Sequence, residues 1–188
     1  MIGNSSQSDI VRPRVGKKPW ATTGYRPGNK NGHNLTRGKN MEAVQGVAGF
    51  REKFRVDELM IFNTPAWSWS VRPLQPTLGA GVISLNRHAA SFSEVNAVEM
   101  SELAEVVARA EKALKTAFAY DRINYLMLMM VDHQVHFHVI PRYETGRQFA
   151  GLEWDDSGWP SLPALSDCQH KDAALPLIRD VLKTSSAD

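Results

Sequence analysis

Residues 131–143 read "VDHQVHFHVIPRY" and set His133, His136 and His138 among valine, phenylalanine and isoleucine. Val135, Phe137 and Val139 alternate with Gln134, His136 and His138. Strict alternation of β-branched and aromatic residues with polar ones predicts a strand. Successive strand side chains point to opposite faces, so Gln134, His136 and His138 share one face while the apolar set presses into the core. His133 is out of phase. With Asp132 it is expected to form a tight turn between antiparallel strands at Tyr125–Val131 and Gln134–Ile140. Pro141, which has no N–H for the ladder, is expected to close the second strand.

Upstream, "FRVDELMIFN" (Phe54–Asn63), "AWSWSVR" (Ala66–Arg72) and "GVISL" (Gly81–Leu85) read as further strands separated by Pro- and Gly-containing turns. The segment Ser91–Asp121 reads as one long helix. Asn96 and Glu99 have capping-box spacing, and Met100, Leu103, Val107, Ala110, Leu114 and Phe118 recur every three or four residues as a core-facing stripe. After an irregular stretch, a short last helix is expected near Lys171–Lys183, bent at Pro176. Strands in meander order with helices to one side define an α+β domain. Trp67, Trp69, Trp154 and Trp159 are assigned to the core or to a dimer interface.

A chain of 188 residues and 21.0 kDa suits one domain with a real core. No apolar run reaches the roughly 20 residues needed to span a bilayer, and the N-terminus lacks the apolar stretch of a signal peptide. A cytoplasmic protein without membrane contact is expected. The single cysteine, Cys168, has no partner for an internal disulfide and is expected to be inert. The net charge of +2 hides an asymmetry: eight Lys or Arg against Asp9 make residues 1–40 +7, leaving residues 41–188 at −5. Six glycines, three prolines and no apolar period make residues 1–45 a basic arm, disordered or laid on the surface, ahead of a domain at 46–188. Its charge admits contact with nucleic acid, but a solvated tail, partner-binding arm or oligomer clasp is the commoner role of such a segment.

"QVHFHVIPR" (134–142) resembles the signature of the histidine triad (HIT) superfamily, most of all its fragile histidine triad and diadenosine polyphosphate hydrolase branch. "LGAGVISLNRHAASFSEV" (78–95) is similar to the family segment ahead of its long helix, and "MIFNTPAWSWSVRPLQPTLG" (60–79) falls where its earlier strands lie. The resemblance implies a HIT-like fold: about five antiparallel strands, one long helix and a short C-terminal helix. It implies a nucleotidyl hydrolase or transferase, and a homodimer, acting on a small nucleotide of the dinucleoside polyphosphate kind. His136 would take the nucleophile's place and form a nucleotidyl-histidine. His138 would act beside it on phosphate oxygens or the leaving group. Arg72, Asp132, His133 and Arg142 are the substrate-contact candidates. No resident cofactor is required, and a divalent cation enters only with the substrate phosphates.

Four departures accompany the likeness. Gln134 replaces the first histidine of the triad and cannot carry a proton's charge. Gly79-Ala80 replaces a Gly-His pair. Arg72 stands where relatives place an Asn or Asp for the ribose hydroxyls, and the loop before the triad strand reads as shorter than theirs. Two other classes stay open. One is a fold that binds nucleotide without turnover; the other is a metal site in which His136 and His138 are joined by Asp132 or His133, against which stands the lack of an in-phase carboxylate.

Overall fold

The computed structural model describes residues 46–167 and 172–187; the basic arm and Cys168 lie outside them. Residues 46–53 are helical (α1). The other elements follow in chain order as β1 (Met60–Asn63), β2 (Trp67–Val71), β3 (Gly81–Leu85), α2 (Ala97–Phe118), β4 (Arg122–Leu126), β5 (His136–Arg142), β6 (Arg147–Phe149), β7 (Leu152–Trp154) and α3 (Leu175–Ala187). Five strands form one antiparallel sheet in the order β1-β2-β3-β5-β4, and β6 with β7 makes a separate hairpin. The expected α+β class and five-strand sheet are present.

Alternation along the strands sorts the two faces of the sheet. Trp67, Trp69, Val71, Ile83, Leu85 and Val139 point to one face, where Leu103, Val106, Ala110, Leu114 and Phe118 of α2 and Leu175, Ile178 and Leu182 of α3 close the main core. The opposite face carries Ser68, Ser70, Val82, Ser84, His136 and His138, because Ser68 pairs with Ser84 and Ser84 with His136, while Ser70 pairs with Val82 and Val82 with His138. A small second cluster of Phe50, Phe54, Val56 and Val82 covers this face. Helix α1 therefore roofs the histidine side of the sheet.

Helix α2 begins as its capping pair predicts. The Asn96 side chain accepts from the N–H groups of Val98 and Glu99, and the Glu99 carboxylate accepts from Asn96 N–H at 2.9 Å. The same carboxylate takes Arg87 at 2.6 and 2.8 Å, which ties the helix N-terminus to the exit of β3. On the helix face, Met100 is exposed and Val106 is buried, so the stripe turns by part of a residue from its sequence reading. The turn from β2 to β3 needs Gly79, whose φ is +78° and where a Cβ would come within 2.8 Å of Phe118.

Several expectations are corrected. The strand read at Phe54–Asn63 is only Met60–Asn63, because α1 ends at Lys53 and a turn follows in which Arg55 is left-handed (φ 50°). The tight Asp132-His133 hairpin is instead a nine-residue connection, 127–135, between β4 and β5. The cause is a competing set of backbone bonds: Val135 N–H donates to Ala89 O and the Val135 carbonyl accepts from Leu85 N–H, drawing the entry of β5 toward β3 and away from β4. Pro141 lies inside β5, opposite Ile123. Its carbonyl accepts from Thr77 Oγ1 at 2.6 Å on an edge that β3 has already left, so the missing N–H costs no ladder bond. Helix α3 starts at Leu175, which puts Pro176 in the first turn, where no donor is needed and no bend results.

The strand end is fixed by Arg142, whose guanidinium makes a two-point ion pair with Asp156 (2.6 and 3.1 Å) and donates to Asn124 Oδ1 and Ser161 O. The two side chains are 4% and 1% exposed. Removing one partner leaves a buried charge unpaired, so Asp156→Ala is expected to destabilise the domain by about 3–5 kcal/mol in urea or guanidinium unfolding.

Candidate active site

His136 and His138 stand two apart on β5, on the face roofed by α1. His136 is 0% exposed and His138 6%. The rings of Phe50 and Phe54 pack on His136 at 4.9 and 5.8 Å, and Phe54 also reaches His138 at 5.7 Å. This face is thus covered, by a helix that was not read from the sequence. Its signal was present: Phe50 and Phe54 are four apart, one helical turn, but Gly46 and Gly49 lower helix propensity around them.

Hydrogen bonding fixes the tautomer of His136. Its Nδ1 lies 2.7 Å from the carbonyl oxygen of Gln134, which only accepts, so Nδ1 carries the proton. In the neutral ring Nε2 then bears the lone pair. That atom lies 3.3 Å from Nε2 of His138, so His138 donates Nε2–H to His136 and keeps its own lone pair on Nδ1. Nδ1 of His138 is buried and has no hydrogen-bond partner among the described residues. Burial depresses the basicity of both rings. His138 is pushed down to about 4, by desolvation first, then by the neighbouring His136 and by Arg72. His136 is lowered chiefly by burial, opposed by its bond to Gln134. Both are neutral imidazoles at pH 7.

Gln134 stays beside the pair but precedes β5. It is 2% exposed, and its amide donates to Leu85 O (2.8 Å) and Arg87 O (2.7 Å) and accepts from Ala89 N–H (3.3 Å). Its side chain holds the backbone whose carbonyl orients His136. It does not face the imidazoles.

A cleft of about 330 Å³ opens next to His138, lined by Lys53 and Phe54 from the end of α1, Arg72, Pro73 and Leu74 after β2, and Asp132 from the 127–135 loop. Lys53 Nζ meets both oxygens of Asp132, at 2.7 and 2.8 Å. Arg72 donates to Leu74 O. Of the sequence candidates, Arg72, Asp132 and His138 come together here. His136 lies directly behind His138. His133 is exposed, its Nε2 at 3.3 Å from Met130 O, and does not line the cleft. Arg142 faces a different hollow of about 590 Å³, shared with Arg122, Asn124 and Trp159. Lys53 was not among the candidates, since it reaches Asp132 from 79 residues away. Among the described residues, no group of three or more His, Cys, Asp or Glu is placed to hold a metal ion.

Comparison with known proteins identifies the fold. Residues 80–145, from the end of the Gly79 turn to just past β5, match the HIT domain. The fold is HIT-like. Among solved structures, the sheet and helices superpose on a histidine triad protein from Sinorhizobium meliloti with a TM-score of 0.55, 16% identity, and coverage of 70% of this chain and 93% of that one. A hypothetical histidine triad nucleotide-binding protein from Sulfolobus tokodaii gives 0.53, 17%, and 69% and 83%. A zinc-bound histidine triad family protein from Mycobacterium smegmatis gives 0.51, 16%, and 79% and 99%. None of the curated proteins matches the sequence. No helix among the described residues of this HIT-like chain is long and apolar enough to cross a membrane.

The two imidazoles make stability depend on pH with a definite sign. Both titrate lower in the folded protein than in the unfolded chain, so between pH 6.5 and about 4 the unfolded chain binds the extra protons and stability falls as pH falls. The melting temperature is expected to drop by roughly 5 °C or more from pH 7 to pH 5. His138→Gln should flatten that slope in a thermal-melt series.

Proposed function

We propose that this HIT-like protein is a nucleotidyl hydrolase or transferase that works through a nucleotidyl-histidine on His136. One observation carries the reading: Gln134 O takes the proton side of the ring, so the Nε2 lone pair faces His138, the imidazole that lines the cleft. Nε2 attacks the α-phosphorus of a bound nucleotide, the bond from that phosphorus to the leaving-group oxygen breaks, and a phosphoramidate forms. Water then displaces the imidazole in a second step. The Nε2–H of His138, aimed at the nucleophile's front in the resting site, donates to a phosphate oxygen or to the departing oxygen. Lys53 and Arg72 line the cleft beside the pair. A dinucleoside polyphosphate fits this scheme, since its leaving group is a nucleotide that departs with little proton assistance, which suits a His138 pushed down to about 4. A divalent cation travels with the phosphates and needs no protein site.

A second reading is supported by burial. His136 is 0% exposed beneath Phe50 and Phe54, so attack requires α1 to yield and the His136–His138 contact to part. A fold that binds nucleotide in the cleft without turnover would keep the roof closed. The two readings separate on one experiment. Brief incubation with a panel of dinucleoside polyphosphates and nucleoside phosphoramidates, followed by mass spectrometry, is expected to find a nucleotidyl adduct on His136 and none in His136→Ala. The same substitution should lower hydrolysis by about a thousandfold or more, while His138→Ala gives a partial loss. Binding without any adduct would favour the non-catalytic module.

We also propose a homodimer formed through the sheet edge. β4 is an edge strand, and the loop after it exposes Met130 (89%) and Val131 (81%). Light scattering is expected to give twice the 21.0 kDa chain mass at micromolar concentration. A monomer would refute this.

A further inference from the structure

We infer that the cleft beside His138 takes a phosphorylated ribose, so that the preferred nucleotide carries a second phosphate on its sugar in addition to the one His136 attacks. This rests on the nucleotidyl reading above and names its substrate class. Three features of the cleft combine. The first is charge. Among the described residues that line it, Lys53 and Arg72 stand against the one carboxylate of Asp132, which makes that lining net positive. The pair that partly neutralises it is weakly held, because Lys53 is 51% exposed and an exposed ion pair exchanges readily for a better anion. A phosphate monoester, close to dianionic at neutral pH, displaces Asp132 from Lys53 and also meets the guanidinium of Arg72.

The second feature is the unpartnered atom. His138 is 6% exposed, lines the cleft, and carries a buried Nδ1 that no described residue satisfies. With Nε2–H directed at His136, Nδ1 is an acceptor, and it calls for a ligand hydroxyl and repels a bare anion. A polyphosphate chain offers only acceptors there. A sugar offers a hydroxyl one carbon from its phosphate. The third feature is the apolar remainder of the wall, Phe54, Pro73 and Leu74, against which the C–H faces of a sugar ring pack. About 330 Å³ admits a sugar with its phosphate and little more.

Calorimetric titration with adenosine and guanosine 5′-monophosphates, 2′,5′- and 3′,5′-bisphosphates and 5′-diphosphates tests this. At least one ribose bisphosphate is expected to bind about tenfold or more tighter than the matching 5′-monophosphate, and tighter than the 5′-diphosphate. Lys53→Met, at a half-exposed position whose loss leaves the fold intact, should reduce that ratio to near one, and Asp132→Asn should raise it. Equal binding of monophosphate and bisphosphates overturns the inference and leaves the nucleotide reading standing. A gain matched or exceeded by the 5′-diphosphate overturns it in favour of a chain phosphate. Failure of every nucleotide to bind overturns both.

Discussion

Strand β5 is paired on both edges and covered on both faces, and that double confinement organises the domain. Its Val139 face closes the core against α2 and α3, while its histidine face lies under Phe50 and Phe54. β3 pairs with it from His136 to Val139 and β4 from His138 to Arg142, so the two ladders overlap at His138 and Val139. A histidine placed on such a strand is held neutral and immobile. The reactivity proposed for His136 and the burial that argues against it have this same origin. An imidazole in bulk water would share its lone pair with solvent; here it has one designated neighbour.

Much of this was legible in the sequence because it is local. The alternation at 135–139 placed His136 and His138 on one face, and the Asn96/Glu99 spacing located the start of α2. What was not legible depends on distant partners. "MLMMVDH" has no period that distinguishes a strand from an apolar loop, and the choice is made by Ala89 and Leu85, which claim the backbone of Val135. Pro141 looked like a terminator because nothing in the sequence tells which edge of a strand its nitrogen faces. Helix α1 was hidden by two glycines and by its place next to the basic arm. The candidate site divided along the same line. His136, His138 and Arg72 were read from pattern and likeness, whereas Lys53 enters through a contact that sequence spacing does not encode. Arg142 was read as a phosphate contact from its place after the triad, but Asp156, Asn124 and Ser161 O take its donors.

The roof over the site also shows which parts of a HIT-like domain can differ without disturbing the sheet. The floor, made by β2, β3 and β5, is built from short side chains and the two imidazoles, and is set by strand register. The walls come from the end of α1, the turn after β2 and the loop before β5, three segments free to vary without disturbing that register. Charge in the cleft resides in the walls.

The amide of Gln134 has a consequence for how this site relates to one with a third histidine. It serves two carbonyls from a single nitrogen and receives one N–H on its oxygen. A neutral imidazole has one donor and one acceptor, and a charged one has two donors on opposite sides of the ring and no acceptor; neither reproduces the three bonds. Exchanging this glutamine for histidine would strand a buried carbonyl or the Ala89 N–H before it touched the reacting atoms. The missing member of the triad is therefore a backbone junction, and the path between the two kinds of site runs through a rearranged 85–89 segment, not through a single codon.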